Sequence, residues 1–305
     1  MKDKIVLITG ASSGIGFETA RQLATLGAHI VMVCRDPERG SAARAKIAEA
    51  AAGSPPDLIY ADLLSQASIR AAADQIRAQY SRIDVLINNA GANFGQREYS
   101  VDGIEKTFAV NHLAAFLLTG LLFDLVRASG RGRVILVSSE IHSGSLDFDN
   151  LQGERRYDFL GAYYQSKLEN ILFTYELARR ADSAGVTVNA LSPGPTRTRF
   201  GDNMQGLPRL FPLVMKHIPF LFVAPSRGAS TSVYLASSPN IAGTSGRFFM
   251  KNREMRTKPI SYDIEVARRL WDISEELTGG PLEVAGARQE LLTLDHRVNL
   301  QEHSR

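Results

Sequence analysis

The segment from Lys4 to Leu26 leaves few architectures open. Lys4 to Thr9 is a short apolar run, Gly10-Ala11-Ser12-Ser13-Gly14-Ile15-Gly16 is a turn, and a helical pattern follows to Leu26. Strand, glycine turn and helix in that order form the context a dinucleotide-binding loop requires. The glycines permit a tight turn and let backbone amides approach a pyrophosphate at the positive end of the helix. Gly10, Ser12, Ser13, Gly14, Ile15 and Gly16 are therefore candidate cofactor ligands. The spacing Gly-x-x-x-Gly-x-Gly differs from the commoner Gly-x-Gly-x-x-Gly, and taken alone the motif is equally compatible with a plain turn.

The rest of the chain repeats the alternation. Strands are predicted at His29 to Cys34, Asp57 to Ala61, Ile83 to Ile87, Arg133 to Ser138, Val186 to Leu191 and Arg247 to Met250. Helices are predicted at Gln66 to Tyr80, Val101 to Val126, Leu160 to Ala181, Ser226 to Ser237 and Ile264 to Glu276, with another after Arg35. Strands separated throughout by helices imply a parallel sheet covered on both faces, an α/β fold. One domain is expected to reach Gly280. Residues 281–305 carry only Leu291, Leu292 and Leu294 among charges, which suits a frayed tail or a short docking helix.

The second strand should end at the adenosine ribose. An acid there accepts the hydroxyls of NAD, whereas Arg accommodates the 2′-phosphate of NADP. Cys34 and Arg35 stand at that point with Arg39 one turn on, so NADP is expected. The alternative has Asp36 taking the ribose and both arginines solvated.

Composition excludes several classes. The 305 residues are 44% hydrophobic and 22% charged, with a net charge of +3 scattered along the chain, so no nucleic-acid stripe is visible. Cys34 is the single cysteine, which rules out an internal disulfide, and no Cys/His cluster suggests a metal site. The apolar run Leu113 to Val126 is interrupted by Thr119, Gly120 and Asp124 and is too short to span a bilayer. No signal-peptide pattern precedes the first strand, and the expectation is a cytoplasmic protein.

Tyr163 and Lys167 lie four apart on the helix from about Leu160, so phenol and ammonium share one face. A lone phenol titrates near pH 10, and a fixed positive charge nearby favours the phenolate. The expected result is a proton-transfer group near neutrality. The bland reading is two residues that happen to be a helical turn apart.

With these pieces placed, the chain resembles the short-chain dehydrogenase/reductase family over residues 2–278. The matches are Thr9-Gly10-x-x-x-Gly14-x-Gly16, Asp62-Leu63, Asn88-Asn89-Ala90-Gly91, Asn111, Ser138-Ser139, Tyr163-x-x-x-Lys167 and Pro193-Gly194. The resemblance implies a Rossmann-type, doubly wound, seven-stranded parallel sheet in a single domain. It implies that Ser139 holds the substrate oxygen, Tyr163 moves the proton, Lys167 binds the nicotinamide ribose and Asn111 anchors a proton-reloading water chain. It further places Asp62 and Leu63 against adenine, Asn89, Ala90 and Gly91 beside the ribose, and Pro193, Gly194 and Thr196 at the nicotinamide. Cys34-Arg35-Asp36-x-x-Arg39-Gly40, Asn111-His112-Leu113, Ser138-Ser139-Glu140-Ile141-His142 and Leu270-Trp271-Asp272 look most like retinol dehydrogenase-like and carbonyl reductase members, which usually take NADP(H). Ser192 stands where those members usually have His. The N-terminal anchor of many animal members is missing from this sequence, so retinoid specificity is not expected to carry over. A homodimer or homotetramer is the family's common assembly.

Two further segments bear on the substrate. The connection Glu140 to Ala162 should edge the pocket or a subunit contact, or else be a solvated charged loop. His142 lies near enough to Ser139 to suggest a hydrolase triad, but no acid partner or nucleophile elbow accompanies it. Residues 197–224 carry twelve large apolar side chains from Phe200 to Phe222 that must bury against something: a lid over a lipophilic small-molecule substrate is expected, with a partner subunit, a membrane surface or the protein's own core as the alternatives. The reaction expected is carbonyl and alcohol interconversion; reduction of a carbon–carbon double bond and a catalytically silent cofactor sensor are the alternatives.

Overall fold

A computed structural model describes residues 1–181, 184–195, 224–282 and 284. Seven parallel strands run β1 (Ile5–Thr9), β2 (His29–Cys34), β3 (Asp57–Tyr60), β4 (Val85–Asn88), β5 (Arg133–Val137), β6 (Thr187–Ser192) and β7 (Arg247–Met250). Their spatial order is β3-β2-β1-β4-β5-β6-β7, extended at one edge by an eighth strand, β8 (Arg253–Glu254), antiparallel to β7. The sheet thus has one strand more than the seven expected. β8 exists because Lys251 and Asn252 both take positive φ, 50° and 61°, the backbone of a two-residue hairpin. The winding direction reverses between β1 and β4, and the crevice outside the carboxyl ends of such neighbouring strands is where this architecture binds ligands.

Alternation along each strand explains the two layers of core. Leu7, Val31, Val33, Ile59, Leu86, Val134, Leu136 and Val188 face α3 (Gln66–Gln79), α4 (Lys106–Ala128) and α5 (Phe159–Arg180). Val6, Ile8, Ile30, Met32, Val85, Ile87, Ile135 and Val137 face α1 (Gly14–Thr25), α2 (Pro37–Ala50) and α6 (Ser230–Ser237). Full burial of each such side chain contributes about 1.5–3 kcal/mol, so register is strongly set on both faces. A last helix, α7 (Ile264–Leu277), lies across α5 and contributes Trp271, which meets Phe116 and Phe173.

Helix α4 starts five residues later than the predicted Val101. Tyr99 and Glu105 pair first in an antiparallel bridge around a turn at Gly103, and the Glu105 carboxylate then accepts Thr107 N–H (2.8 Å) and Phe108 N–H (2.7 Å). Its Ala109–Leu113 turn is π-helical, a wide turn that often marks a functional position. By length and composition alone α4 could cross a membrane (mean hydropathy 1.7), yet 72% of that window is buried inside the fold. It is apolar all round because it is a core helix. Beyond Gly280, Leu282 and Val284 still pack on this core.

Candidate active site

The crevice at the β1/β4 reversal is built from the glycine turn and the end of β4. Gly10 and Gly14 take φ of 69° and 59°, the left-handed region glycine tolerates. A Cβ on Gly16 would stand 2.4 Å from both Asn89 Nδ2 and Gly10 O, so only glycine fits there. Thr9 locks the two segments: its buried hydroxyl accepts Asn89 N–H and Ala90 N–H, each at 3.0 Å. Asn89 returns the bond, donating to Thr9 O at 2.8 Å. Helices α2, α3, α5 and α7 are capped by Asp36, Ser65, Asp158 and Asp263, whereas Ser13 makes no side-chain cap on α1 and no acid occupies its first turn. Unclaimed amides at a positive helix end suit a phosphate. Ser12, Ser13, Gly14, Ile15 and Gly16 therefore fit a dinucleotide's pyrophosphate.

At the end of β2, Arg35 is exposed and takes no ion pair among the described residues. Asp36 is engaged elsewhere: it caps α2 through Arg39 N–H at 3.0 Å and pairs with the Arg39 guanidinium at 3.5 Å. Cys34 is buried, and burial pushes its thiol up to about 11, which makes it a packing group. Asp62 accepts Leu64 N–H at 3.1 Å and receives the Ser68 hydroxyl on its backbone side, its N–H donating at 3.0 Å. Leu63 packs beside it at the core's margin.

The end of β5 and the N-terminal halves of α4 and α5 bring Asn111, Ser139, Tyr163 and Lys167 together. Lys167 Nζ lies 5.4 Å from the Tyr163 ring centroid and donates to Val137 O at 3.2 Å. Ser138 Oγ donates to Lys167 O at 2.7 Å, fixing α5 on β5. The Ser139 hydroxyl is bonded to the Tyr163 phenol and also accepts Ile141 N–H at 3.0 Å. Asn111, on the π turn, donates to Ala92 O and Ser166 Oγ, both at 2.9 Å, and accepts Ala92 N–H at 2.7 Å. Ser166 in turn donates to Tyr163 O at 2.8 Å. Gly91 sits over this group, where a Cβ would come 3.3 Å from Asn111 Oδ1 and 3.5 Å from Lys167 Nζ.

The electrostatics differ from the sequence expectation. Burial, more than any other cause, holds the Tyr163 phenol above its ordinary value; the Ser139 hydroxyl acts downward, and Glu140 and Tyr164 act upward. The buried Lys167 ammonium is lowered to about 8 by the same desolvation. A phenol near neutrality is therefore not what these side chains produce by themselves. Low dielectric penalises phenolate and ammonium alike, and the amine stands across the ring rather than against the oxygen.

His142 does not complete a triad. Its Nε2 accepts Lys258 N–H at 3.2 Å, which leaves Nδ1 to donate to Ser139 O at 3.2 Å, and burial lowers its pKa. The ring grips the serine's carbonyl and has no free nitrogen for its hydroxyl. The connection Glu140 to Ala162 is part solvated and part anchored. Asp147 and Arg155 form an exposed pair at 2.8 Å, while Leu151 is buried and Tyr157 donates to Phe94 O at 2.9 Å. Asn93 was missed by sequence reasoning: it is 0% exposed, and among the described residues neither atom of its amide has a partner. Its flanks are fixed by Asn111 at Ala92 and Tyr157 at Phe94, beside the gathered side chains. Its signal was only an extra amide just past Asn88-Asn89-Ala90-Gly91.

Ser192 ends β6 fully buried, and Gly194 follows with φ of 75° and open space around the position of a Cβ. Pro193 lies between them; Thr196 and residues 197–223 of the expected lid lie outside the described residues. Among the described residues no group of three His, Cys, Asp or Glu could hold a metal ion.

Comparison with known proteins follows the same outline. The family model for short chain dehydrogenases matches residues 4–206. Mouse (Mus musculus) retinol dehydrogenase 14 is 42% identical over 291 residues, covering 92% of this chain and 87% of the relative. Human (Homo sapiens) retinol dehydrogenase 13 is 41% identical over 300 residues, covering 95% and 88%. Among solved structures, a putative uncharacterized protein from Mycobacterium Paratuberculosis aligns with a TM-score of 0.74 at 31% identity, over 92% of this chain and 96% of that one. An NADP active-site complex of Pseudomonas aeruginosa RhlG aligns with a TM-score of 0.65 at 26% identity, over 82% and 94%.

Proposed function

This chain belongs to the short-chain dehydrogenase/reductase family, and from that premise we propose that it is an NADP(H)-dependent oxidoreductase interconverting a carbonyl and an alcohol on a lipophilic small molecule. The observation that carries the proposal is the convergence of Ser139, Tyr163, Lys167 and Asn111 beside a glycine turn and an uncapped helix end. Bound in that crevice, the nicotinamide supplies or accepts the hydride.

The chain's own groups do the rest. The Ser139 hydroxyl, already directed at the phenol, holds the substrate oxygen and stabilises charge developing on it. Tyr163 gives its proton to that oxygen in reduction and takes it back in oxidation. Lys167 holds the nicotinamide ribose, and Asn111 fixes Ala92 and the α5 backbone through Ser166. Exposed Arg35 supports NADP over NAD because its guanidinium has no ion pair among the described residues and can take a 2′-phosphate, while Asp36 is engaged in a cap. Ile141 next to Ser139 and Leu160 at the start of α5 are exposed apolar side chains. Together with the retinol dehydrogenase relatives they support a lipophilic substrate.

Replacing Tyr163 by Phe tests the assignment. Turnover of an aldehyde and ketone panel with NADPH should fall below detection while NADPH binding stays within about twofold, since only the proton donor is lost. A Phe variant that retains turnover removes Tyr163 from the mechanism.

A further inference from the structure

Several polar groups near the crevice have no part in this mechanism, and one pair joins its two sides. Ser192 is 0% exposed at the carboxyl end of β6. Its hydroxyl donates to Glu140 Oε2 and accepts Gly194 N–H at 3.1 Å. Glu140 follows Ser139 immediately, three residues past Val137, which with Leu191 forms the last ladder pair of β5 and β6. After that pair one further bond, Ser138 N–H to Leu191 O at 2.8 Å, holds the two chains together. They then part, one toward Ser139 and the other toward Pro193 and Gly194. The carboxylate spans that gap. A hydroxyl can do both jobs at once, donating to the acid and accepting from the turn, which gives Ser192 a physical role.

We propose that Glu140, held by Ser192, is a positioning residue that fixes the spacing between Ser139 on one side of the crevice and the Pro193–Gly194 turn on the other. The inference rests on the reading of Ser139 and Tyr163 as the substrate-oxygen and proton groups. Its first consequence is mechanical: without the tie, the turn that flanks the nicotinamide loses one of its anchors, and cofactor binding weakens. The second is electrostatic. The polar groups facing Tyr163 among the described residues are Ser139 and Glu140 from the segment after β5, and Tyr164 and Lys167 from its own helix. Of these, Glu140 is the negative charge, and it opposes the phenolate. Taking that charge away lets the phenol ionise at lower pH.

The two consequences separate by substitution. Glu140→Gln keeps a carbonyl to accept the Ser192 hydroxyl and removes the charge; Glu140→Ala removes both; Ser192→Ala removes the tie and leaves the acid. The purified full chain is titrated with NADPH by nicotinamide fluorescence, and oxidation of 1-decanol with NADP is followed against pH, with thermal melting as the check on folding. Glu140→Ala and Ser192→Ala should each weaken NADPH binding by about five- to tenfold, as expected for a lost charge-assisted hydrogen bond felt through one turn. Glu140→Gln should bind NADPH within about twofold of the parent, and the rising limb of its oxidation profile should move to lower pH. A general loss of packing would not move that limb. Parent-like NADPH binding in both alanine variants overturns the proposal, as does a Glu140→Gln profile that superimposes on the parent's. If the parent oxidises no 1-decanol, it is the assigned reaction that is in question, and the two binding titrations alone decide for or against the tie.

Discussion

Replacing Thr9 by Val isolates what holds the crevice together. Valine has the shape of threonine, so the 3%-exposed site keeps its packing and loses only the oxygen that accepts Asn89 N–H and Ala90 N–H at 3.0 Å. An orphaned buried donor costs about 1–3 kcal/mol, and two are created. Asn89 and Ala90 are half-buried, so water reaches part of the deficit and the low end applies, about 2–3 kcal/mol in all. Threonine to serine is the control: it keeps the acceptor and removes one methyl, at about 1 kcal/mol. Urea unfolding of the three proteins measures the difference directly. NADPH binding should weaken in the Val variant alone, because Asn89 braces the turn at Thr9 O and lies where a Gly16 side chain would stand. A Val variant as stable as the Ser variant would refute the claim that this hydroxyl joins β1 to β4.

Two other outcomes follow from single side chains. Arg35→Asp should shift the ratio of NADP to NAD dissociation constants by about tenfold or more toward NAD, since the charge that meets a 2′-phosphate is reversed; an unchanged ratio places the phosphate elsewhere. Glu169 is wholly buried, and burial, helped by the charge of Glu105 and opposed by the Gln165 hydrogen bond, holds its carboxyl well above the usual range. Its folded-state pKa exceeds the unfolded one, so the favourable contribution is complete below about pH 4.5 and is lost as pH rises toward the folded value. Glu169→Gln should therefore be more stable than the parent at pH 8 and flatter between pH 5 and 8 in chemical unfolding; a parallel pH dependence in the two proteins would refute this.

The alternation of strands and helices was legible because it depends on runs of apolar residues with one period or the other, a local property. What escaped depends on single contacts or single dihedrals. The two-residue β8 requires positive φ at Lys251 and Asn252, and neither residue demands it. The start of α4 moved to Lys106 because Glu105 turns its carboxylate onto the first amides, whereas periodicity alone runs back through Val101. Asn111 was identified through its place among ordered motifs; nothing in Ala109–Leu113 announces a π turn. Asp36 had been the competing ribose ligand, and a cap and a ligand have the same sequence signature, an acid just after a strand. The Glu140–Ser192 bond joins residues 52 apart, and Asn93 is defined by the partners it lacks. Neither leaves a periodic trace.

The largest departure, the acidity of Tyr163, follows from counting only one of two opposing effects. Placing an ammonium one helical turn from a phenol favours the phenolate in proportion to how much charge the amine retains and how close it stands. Here the amine is 4% exposed and lowered to about 8, so near neutrality a part of it is already uncharged, and it stands 5.4 Å from the ring centroid. Meanwhile the phenol is desolvated and faces the carboxylate of Glu140. Both shifts favour the neutral pair, which is the state that can give a proton to a substrate oxygen. Turning the same phenol into an acceptor then requires positive charge to enter the crevice or negative charge to leave it. Glu140 is the one carboxylate facing it among the described residues, so in the proposed reaction the pH at which alcohol oxidation sets in should respond to Glu140.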